Sequence, residues 1–440
     1  MMGPEGLPDK EALEQMEQRA RRMSNVWVNR ILGLAVGFFS VYTFSTLRDV
    51  NSPLYPFVTQ MLQKVDPETA HDIVMWAAAH DLLPEDLDKD DPAARVALAD
   101  GQLRLPNPVG LAAGFDKNAE GPLSFLKMGF GFVEVGSVCP EPQSGNPTPR
   151  IFRLGEDAAI VNRCGFNSDG IAKVEERLKA MRKVKEKEPL TRMGKIGVNL
   201  GKNKTSTDAA ADIREGARRL GPLADYLVIN VSSPNTPGLR ALQQRDELAK
   251  LVDAAQEEIG TFKIHKPPLF IKIAPDLSHE DKKDIADLVL AKGVEGLIVS
   301  NTTVSRPESL KSPNKTEEGG LSGWPLKEMS TECVRDMYRL TQGKVDIIAC
   351  GGVFTGRDLM EKIDAGASAV QIYTSMVYRG PSAARMIKND LAYIMFKRAL
   401  RTLRDAVGKG VREADDGEAA AKRPKKSKKP KKVPKPSFDV

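Results

Sequence analysis

The stretch Asn230-Val-Ser-Ser-Pro-Asn-Thr236 sets two amides and three hydroxyls directly after an apolar, β-branched run, Tyr226 to Val231, that reads as a strand buried on both faces. Such side chains donate and accept hydrogen bonds without charge, which is how a protein reads a small polar molecule. Pro234 fixes its own φ and biases Ser233 away from the helical region, so the Ser233 hydroxyl is held on a defined loop. Loops at strand ends are where scaffolds carry sites. The heptapeptide alone is equally a Ser/Asn turn that satisfies its own backbone. Lys272 is a second unusual group, a charge near the end of the apolar run Leu269 to Ala274. An unpaired ammonium inside a fold is costly, which points to an anionic partner bound there.

Eight strand-like runs would position these groups: Val109 to Ala113, Phe132 to Val138, Ile196 to Leu200, Tyr226 to Val231, Leu269 to Ala274, Gly296 to Ser300, Asp346 to Cys350 and Ala369 to Thr374. Helix-compatible segments separate most of them, the βα alternation of an α/β TIM (β/α)8 barrel. Nearly every run ends in small or polar residues, and in such a barrel those ends converge on one face. Before the barrel, Val96 to Leu105 reads as a hairpin, with Asp100-Gly101 as a type I′ turn.

Ile31 to Leu47 is seventeen residues without a charge, bracketed by Arg30 and Arg48. At ~1.5 Å per residue it falls short of a ~30 Å hydrocarbon core, but a start at Val26 reaches spanning length with Arg30 snorkelling. A cleaved signal peptide or a core helix are the alternatives; no small-x-small cleavage signature follows the run. Arg19, Arg21, Arg22 and Arg30 precede it and set its orientation by the positive-inside bias. Next come two amphipathic helical stripes, Phe57, Val58, Met61, Leu62 and Val65, then Ile73, Val74, Met75 and Trp76 behind an Asp66-Pro67 cap.

The chain's net charge of +6 is misleading, because residues 422 to 440 hold nine Lys/Arg against one acid and leave the rest at −2. The body is therefore no basic nucleic-acid binder. The Lys-rich tail, broken by Pro424, Pro430, Pro434 and Pro436, reads as disordered and solvated, with anionic lipid as an electrostatic partner. Cys139, Cys164, Cys333 and Cys350 have no C-x-x-C spacing, against a metal site, an iron–sulfur cluster or a disulfide framework. No G-x-G-x-x-G follows a strand, since Gly129-Phe-Gly131 runs on to Glu134, so no dinucleotide domain is visible.

Seven motifs in order, Ala112 to Lys117, Asn162 to Asn167, Gly197 to Asn203, Asn230 to Thr236, Lys272 to Pro275, Asn301 to Thr303 and Gly319 to Gly323, resemble class 2 dihydroorotate dehydrogenase over about residues 50 to 397. The resemblance implies one FMN in the barrel, oxidation of dihydroorotate to orotate in pyrimidine biosynthesis, and a membrane quinone, ubiquinone, as final acceptor. It implies FMN contacts from Ala112, Ala113, Gly114, Ser137, Asn199, Asn230, Lys272, Ser300, Gly323, Gly352, Tyr373 and Thr374, with the phosphate at Gly351-Gly352 and Tyr373-Thr374. Substrate contacts are expected from Lys117, Asn162, Arg163, Cys164, Gly165, Phe166, Asn230, Asn235, Asn301 and Thr302. Ser233 is the candidate base, which needs a proton relay through Thr236 or ordered water; class 1 members carry cysteine there. Arg153 and Tyr373 match positions at the inner end of an apolar quinone tunnel between two helices.

Two departures stand out. Cys164 occupies a place where the family commonly has an aromatic residue, and Ser300 replaces the usual threonine. The implied location is the mitochondrial inner membrane, as a single-pass monomer with the barrel facing the intermembrane space. Acids at Glu5, Asp9, Glu11, Glu14 and Glu17 do not suit a presequence, so that location rests on the resemblance and the anchor. The expected division is an N-terminal segment (1–25), an anchor (26–48), a helical quinone-tunnel module (50–90), the FMN barrel (91–397) and a C-terminal extension (398–440). A flavin barrel acting on uracil in a base or RNA, or a catalytically dead membrane scaffold, are the competing readings.

Since no barrel run lies before residue 50, deletion of residues 1–49 is expected to leave a soluble protein that retains flavin and is reduced by dihydroorotate. Flavin absorbance of the purified truncation checks this; a colourless, soluble product would move the domain boundary.

Overall fold

The eight apolar runs pair in parallel and in sequence order: β1 Val109–Leu111, β2 Phe132–Val138, β3 Lys195–Leu200, β4 Tyr226–Asn230, β5 Leu269–Ile273, β6 Gly296–Val299, β7 Asp346–Cys350 and β8 Ala369–Ile372. In the computed structural model, which describes residues 10–236 and 238–422, β8 pairs with β1 and the barrel closes. The disorder expected of the Lys-rich tail falls on residues outside those described. Both faces of these strands are buried, one against the interior and one against the helices, which is why the runs are apolar throughout.

The barrel floor is filled by rings lying over glycines. Phe132, Tyr226 and Phe270 each sit beside a glycine that is the register partner on a neighbouring strand: Gly110, Gly197 and Gly296. A Cβ on Gly197 would stand 2.0 Å from Tyr226 Cζ, and one on Gly296 2.0 Å from Phe270 Cε1. The rings meet edge to face, Tyr226 and Phe270 at 5.5 Å and 64°. Beneath them, Leu98, Leu103 and Leu105 of the antiparallel hairpin Val96–Leu98 and Leu103–Leu105 join the same cluster and close the bottom. The hairpin turn is not the expected two-residue type I′. Leu98 pairs with Leu103, leaving a four-residue connection in which Ala99, Asp100 and Gly101 all take positive φ. The cause is tertiary: Ala99 N donates to Asp346 Oδ2 at 2.8 Å, drawing the turn onto the start of β7.

At the other end, a three-stranded antiparallel sheet, in the order Gly320–Gly323, Ala159–Asn162 and Ile151–Leu154, covers part of the opening. Helix α1 (Lys10–Arg48) runs unbroken for 39 residues, so residues 10–25 continue the apolar segment as helix. Among the described residues it is the one helix long and apolar enough to cross a membrane, and none of its apolar window is buried. Helices α2 (Tyr55–Lys64) and α3 (Pro67–Ala79) follow, α3 starting where Asp66 accepts from the N–H groups of Glu68 and Thr69. Their stripes split. Val58, Leu62, Ile73 and Val74 turn toward the barrel opening, whereas Phe57 and Trp76 face outward.

The module is fixed by charge. Asp86, fully buried, accepts from Arg385 Nε at 2.8 Å and from Lys388 Nζ at 2.8 Å on helix Ala383–Lys397; Lys388 also reaches Asp90 at 2.6 Å. Each buried charge has opposite partners, as burial requires.

Gly197→Ala is expected to destabilise the protein by about 1–3 kcal/mol, the usual scale of overpacking. Gly260→Ala, on helix Arg245–Thr261 with nothing within 4 Å of an added Cβ, should be neutral or stabilising. Urea midpoints of the two variants compare them directly.

Candidate functional site

Two cavities meet at the C-terminal ends of the strands. The first encloses about 160 Å³ inside the barrel rim. Its walls include Ala112, Ala113 and Gly114 after β1, Ser137 on β2, Asn230 at the end of β4 and Ser233 after it, Lys272 on β5, Ser300 and Asn301 after β6, Gly351 and Gly352 after β7, and Tyr373 and Thr374 after β8. Lys117, Asn162, Cys164, Gly165, Phe166, Asn235, Thr302 and Gly323 complete the residues singled out from sequence that reach it. Two ammonium groups and no carboxylate line this chamber, which suits an anionic ligand. Lys272 is almost fully buried and, among the described residues, has no hydrogen-bond partner.

Two expected residues do not reach the chamber. Asn199 is fully buried inside the barrel beneath the chamber, with Nδ2 on Glu134 Oε1 at 2.8 Å and Oδ1 accepting from Ser137 Oγ. Arg163 is turned away by stronger partners. Its Nη1 lies 2.7 Å from Glu317 Oε2, its Nη2 3.1 Å from Pro149 O, and its guanidinium stands 4.5 Å from the Phe152 ring centroid. Here the two are supports, Asn199 for Ser137 and Arg163 for the segment carrying Asn162 and Cys164.

The amides interlock. Asn235 Nδ2 donates to Asn162 Oδ1 at 3.1 Å, Asn230 Nδ2 to Ser137 Oγ at 2.9 Å, and Asn301 Nδ2 to Ser232 Oγ at 2.9 Å. Ser233 Oγ accepts from Asn235 N at 3.3 Å, so the loop fixes the hydroxyl through its own turn. Thr236 Oγ1, a candidate relay, is buried with no hydrogen-bond partner among the described residues and is not bonded to Ser233.

Chamber residues that sequence reasoning passed over include Asn167, Ser322, Gln371 and Ser375. Asn167 Oδ1, Gln371 Oε1 and Ser375 Oγ are buried without a partner, an unfavourable state that a bound polar molecule would relieve. Gln371 carried the signal that marked Lys272, a polar residue inside the apolar run Ala369 to Ile372. These orphaned atoms, the unpartnered Lys272 and the Gly351-Gly352 turn, with φ of 116° and 72°, fit a phosphate-bearing aromatic cofactor such as FMN. Among the described residues no cluster could hold a metal ion.

The second cavity, about 300 Å³, lies under α2 and α3 and is lined largely by Val58, Leu62, Ala70, Ile73, Val74, Leu83, Met376 and Val377. Its polar groups are few. Arg153 donates from Nη1 to Val65 O at 2.6 Å, its Nε is buried without a partner, and burial lowers its pKa. His71 Nε2 lies 2.7 Å from Phe115 O, and burial, with Lys117 nearby, pulls its pKa down to about 4. A carbonyl oxygen only accepts, so Nε2 carries a proton here. Ile151, Ile160 and Tyr373 line both cavities, and burial pushes the Tyr373 phenol above its ordinary range.

A chamber at the C-terminal ends of a (β/α)8 wall is where enzymes of this fold work, so fold and site together define a barrel enzyme. The chain belongs to the dihydroorotate dehydrogenase family, in its quinone-linked class 2: the family model for dihydroorotate dehydrogenase matches residues 99–395. It is 50% identical over 356 residues to the mitochondrial dihydroorotate dehydrogenase (quinone) of Mus musculus, covering 81% of this chain and 89% of that one. The dihydroorotate dehydrogenase (quinone) of Rhodospirillum rubrum is 45% identical, over 80% of this chain and 94% of its own. The ligand-free crystal structure of the Eimeria tenella enzyme superposes with a TM-score of 0.76 at 55% identity, over 78% of this chain and 99% of that one.

Asp116, between the chamber residues Gly114 and Lys117, is fully buried and accepts from Glu120 N at 2.9 Å and Gly121 N at 3.1 Å. Burial pushes its pKa from 3.8 up to about 6. A raised carboxyl pKa means that the folded state holds the proton more tightly than the unfolded chain. Its stabilising contribution is complete below the unfolded value and is lost as pH rises toward 6. Asp116→Asn should therefore lose less stability than the parent between pH 4 and 6. Parallel urea titrations across that range give the difference, and equal slopes would exclude it.

Proposed function

We propose that the chain oxidises (S)-dihydroorotate to orotate in the amide-lined chamber, with one FMN per chain as hydride acceptor and a membrane quinone, ubiquinone, reached through the apolar cavity. The observation that carries this reading is the pair of cavities of opposite character sharing Tyr373 as a wall. Bound FMN supplies hydride acceptance and passes the electrons onward. Lys272 would set its unpartnered ammonium beside the flavin ring, and Gly352 with the Tyr373-Thr374 turn would hold the phosphate end. Lys117 pairs with the substrate carboxylate, and Asn162, Asn230, Asn235 and Asn301 read its amide edges.

Ser233 Oγ takes the proton from ring carbon 5. Its acceptor bond from Asn235 N holds the oxygen in place and leaves the hydroxyl proton to be passed on. With Thr236 Oγ1 buried and unbonded in the same turn, a water between the two hydroxyls is what completes the relay. In the apolar cavity, the Arg153 guanidinium and the Tyr373 phenol meet the quinone head group, and the flexible apolar lining takes the isoprenoid tail.

Helix α1 anchors the protein in the mitochondrial inner membrane as a single-pass monomer. Arg19, Arg21, Arg22 and Arg30 keep its N-terminus on the matrix side, and the barrel faces the intermembrane space. The mitochondrial relatives and the apolar helix support this placement.

Ser233→Ala is expected to keep FMN content and orotate binding while slowing flavin reduction by dihydroorotate roughly 10²–10⁴-fold, the usual worth of a positioned base. Reoxidation by quinone should remain near normal. Ser233→Cys should recover part of the loss at raised pH, where a thiolate accepts the proton directly. Stopped-flow traces of the two half-reactions decide it, and equal slowing of both would remove Ser233 from the mechanism.

A further inference from the structure

Glu134, on β2, is fully buried inside the barrel beneath the chamber and has no part in the chemistry above. Its Oε1 accepts from Asn199 Nδ2 at 2.8 Å; its Oε2 accepts from Gln371 Nε2 at 2.6 Å and from the Tyr226 hydroxyl at 3.3 Å. Both carboxyl oxygens of Glu134 thus act as acceptors toward all three partners. Asn199 must therefore turn its nitrogen to Glu134 and its oxygen away, and that oxygen takes the Ser137 hydroxyl proton. The Ser137 oxygen is then free to accept from Asn230 Nδ2 at 2.9 Å. With its nitrogen so engaged, Asn230 presents Oδ1 to Ser232 Oγ at 2.9 Å, and Ser232 Oγ accepts from Asn301 Nδ2 at 2.9 Å. Every group from Asn301 to Asn199 donates in one direction, toward Glu134. On the other arm, Gln371 gives its nitrogen to Glu134, which leaves Oε1 as its unpartnered atom in the chamber wall.

We propose that Glu134 is a positioning residue for the reaction: as the acceptor common to both arms, it fixes which amide atom Asn230, Asn301 and Gln371 turn to the bound molecules. This rests on the chamber being the dihydroorotate site. Asparagine and glutamine are otherwise free to exchange N and O at almost no change in shape, so a residue with one hydrogen-bonding character at the root of the network is what makes its direction single-valued.

A glutamine amide at position 134 can accept from one arm only. Glu134→Gln in the FMN-loaded enzyme must therefore reverse either the Asn199 arm or Gln371. Orotate affinity, read from the flavin absorbance change, should fall roughly tenfold, within the range for a buried mismatched polar group, and KM for dihydroorotate should rise with it. The double variant Glu134→Gln with Asn199→Asp restores direction. The carboxylate introduced at position 199 accepts from the new amide nitrogen at position 134 and from Ser137, while the new amide oxygen accepts from Gln371. Recovery of orotate affinity to within a few-fold of the parent is expected in this double variant, even where the single variant loads flavin poorly. A merely structural role would lower thermal stability in both variants without this recovery. Orotate affinity unchanged in Glu134→Gln, or a double variant no better than the single, overturns the proposal. An absence of any orotate response in the parent enzyme would instead overturn the assignment of the chamber.

Discussion

In a closed parallel barrel each strand is hydrogen-bonded to neighbours on both sides, so the wall has no free edge with which to bind anything. Recognition is left to inward side chains and to the loops where pairing stops. That constraint explains the distribution of polarity here. Below the rim, rings over glycines and the hairpin leucines fill the space with apolar matter. Near and at the rim, Glu134, Lys272 and Gln371 sit on strands, and the asparagines and serines sit on strands or just after them. Glu134 is satisfied by three donors; Lys272 and the Gln371 oxygen are not. The unsatisfied groups mark where a ligand belongs, because a fold does not leave buried polar atoms idle without cause.

Much of this was legible in the residue order. A strand buried on both faces has to be apolar, so a polar residue at its end is visible against its background, and the eight runs with their polar termini announced both wall and chamber. What the order of residues does not encode is which of several partners a long side chain chooses. Arg163 sits within a motif that reaches the chamber, yet Glu317, far along the chain, holds its guanidinium outside. Asn199 shares the inward face of the barrel with Asn230, but it lies one step lower, opposite Val228, where Glu134 takes its nitrogen. The hairpin turn failed for a similar reason: Asp100-Gly101 has the local preference for a two-residue turn, and a bond from Ala99 to Asp346 overrides it. Local propensity is a weak prior wherever a tertiary contact fixes the backbone.

The attachment of α2 and α3 was equally hidden. Asp86, Asp90, Arg385 and Lys388 look like ordinary surface charges in sequence, being about 300 residues apart in two pairs. Folded, they form one charge cluster that pins the connection after α3 to the last barrel helix. Together with Glu68 on Arg150 at 2.6 Å, it sets the helix pair at a fixed height above the opening. The apolar cavity is therefore a property of the assembled molecule, absent from either part alone.

Tyr373, with Ile151 and Ile160, forms the partition between the two cavities, and it is about one side chain thick. Such a partition is thin for an electron and impassable for a molecule. A water-borne reactant and a lipid-borne one can thus trade reducing equivalents without ever sharing a solvent, each arriving by its own door.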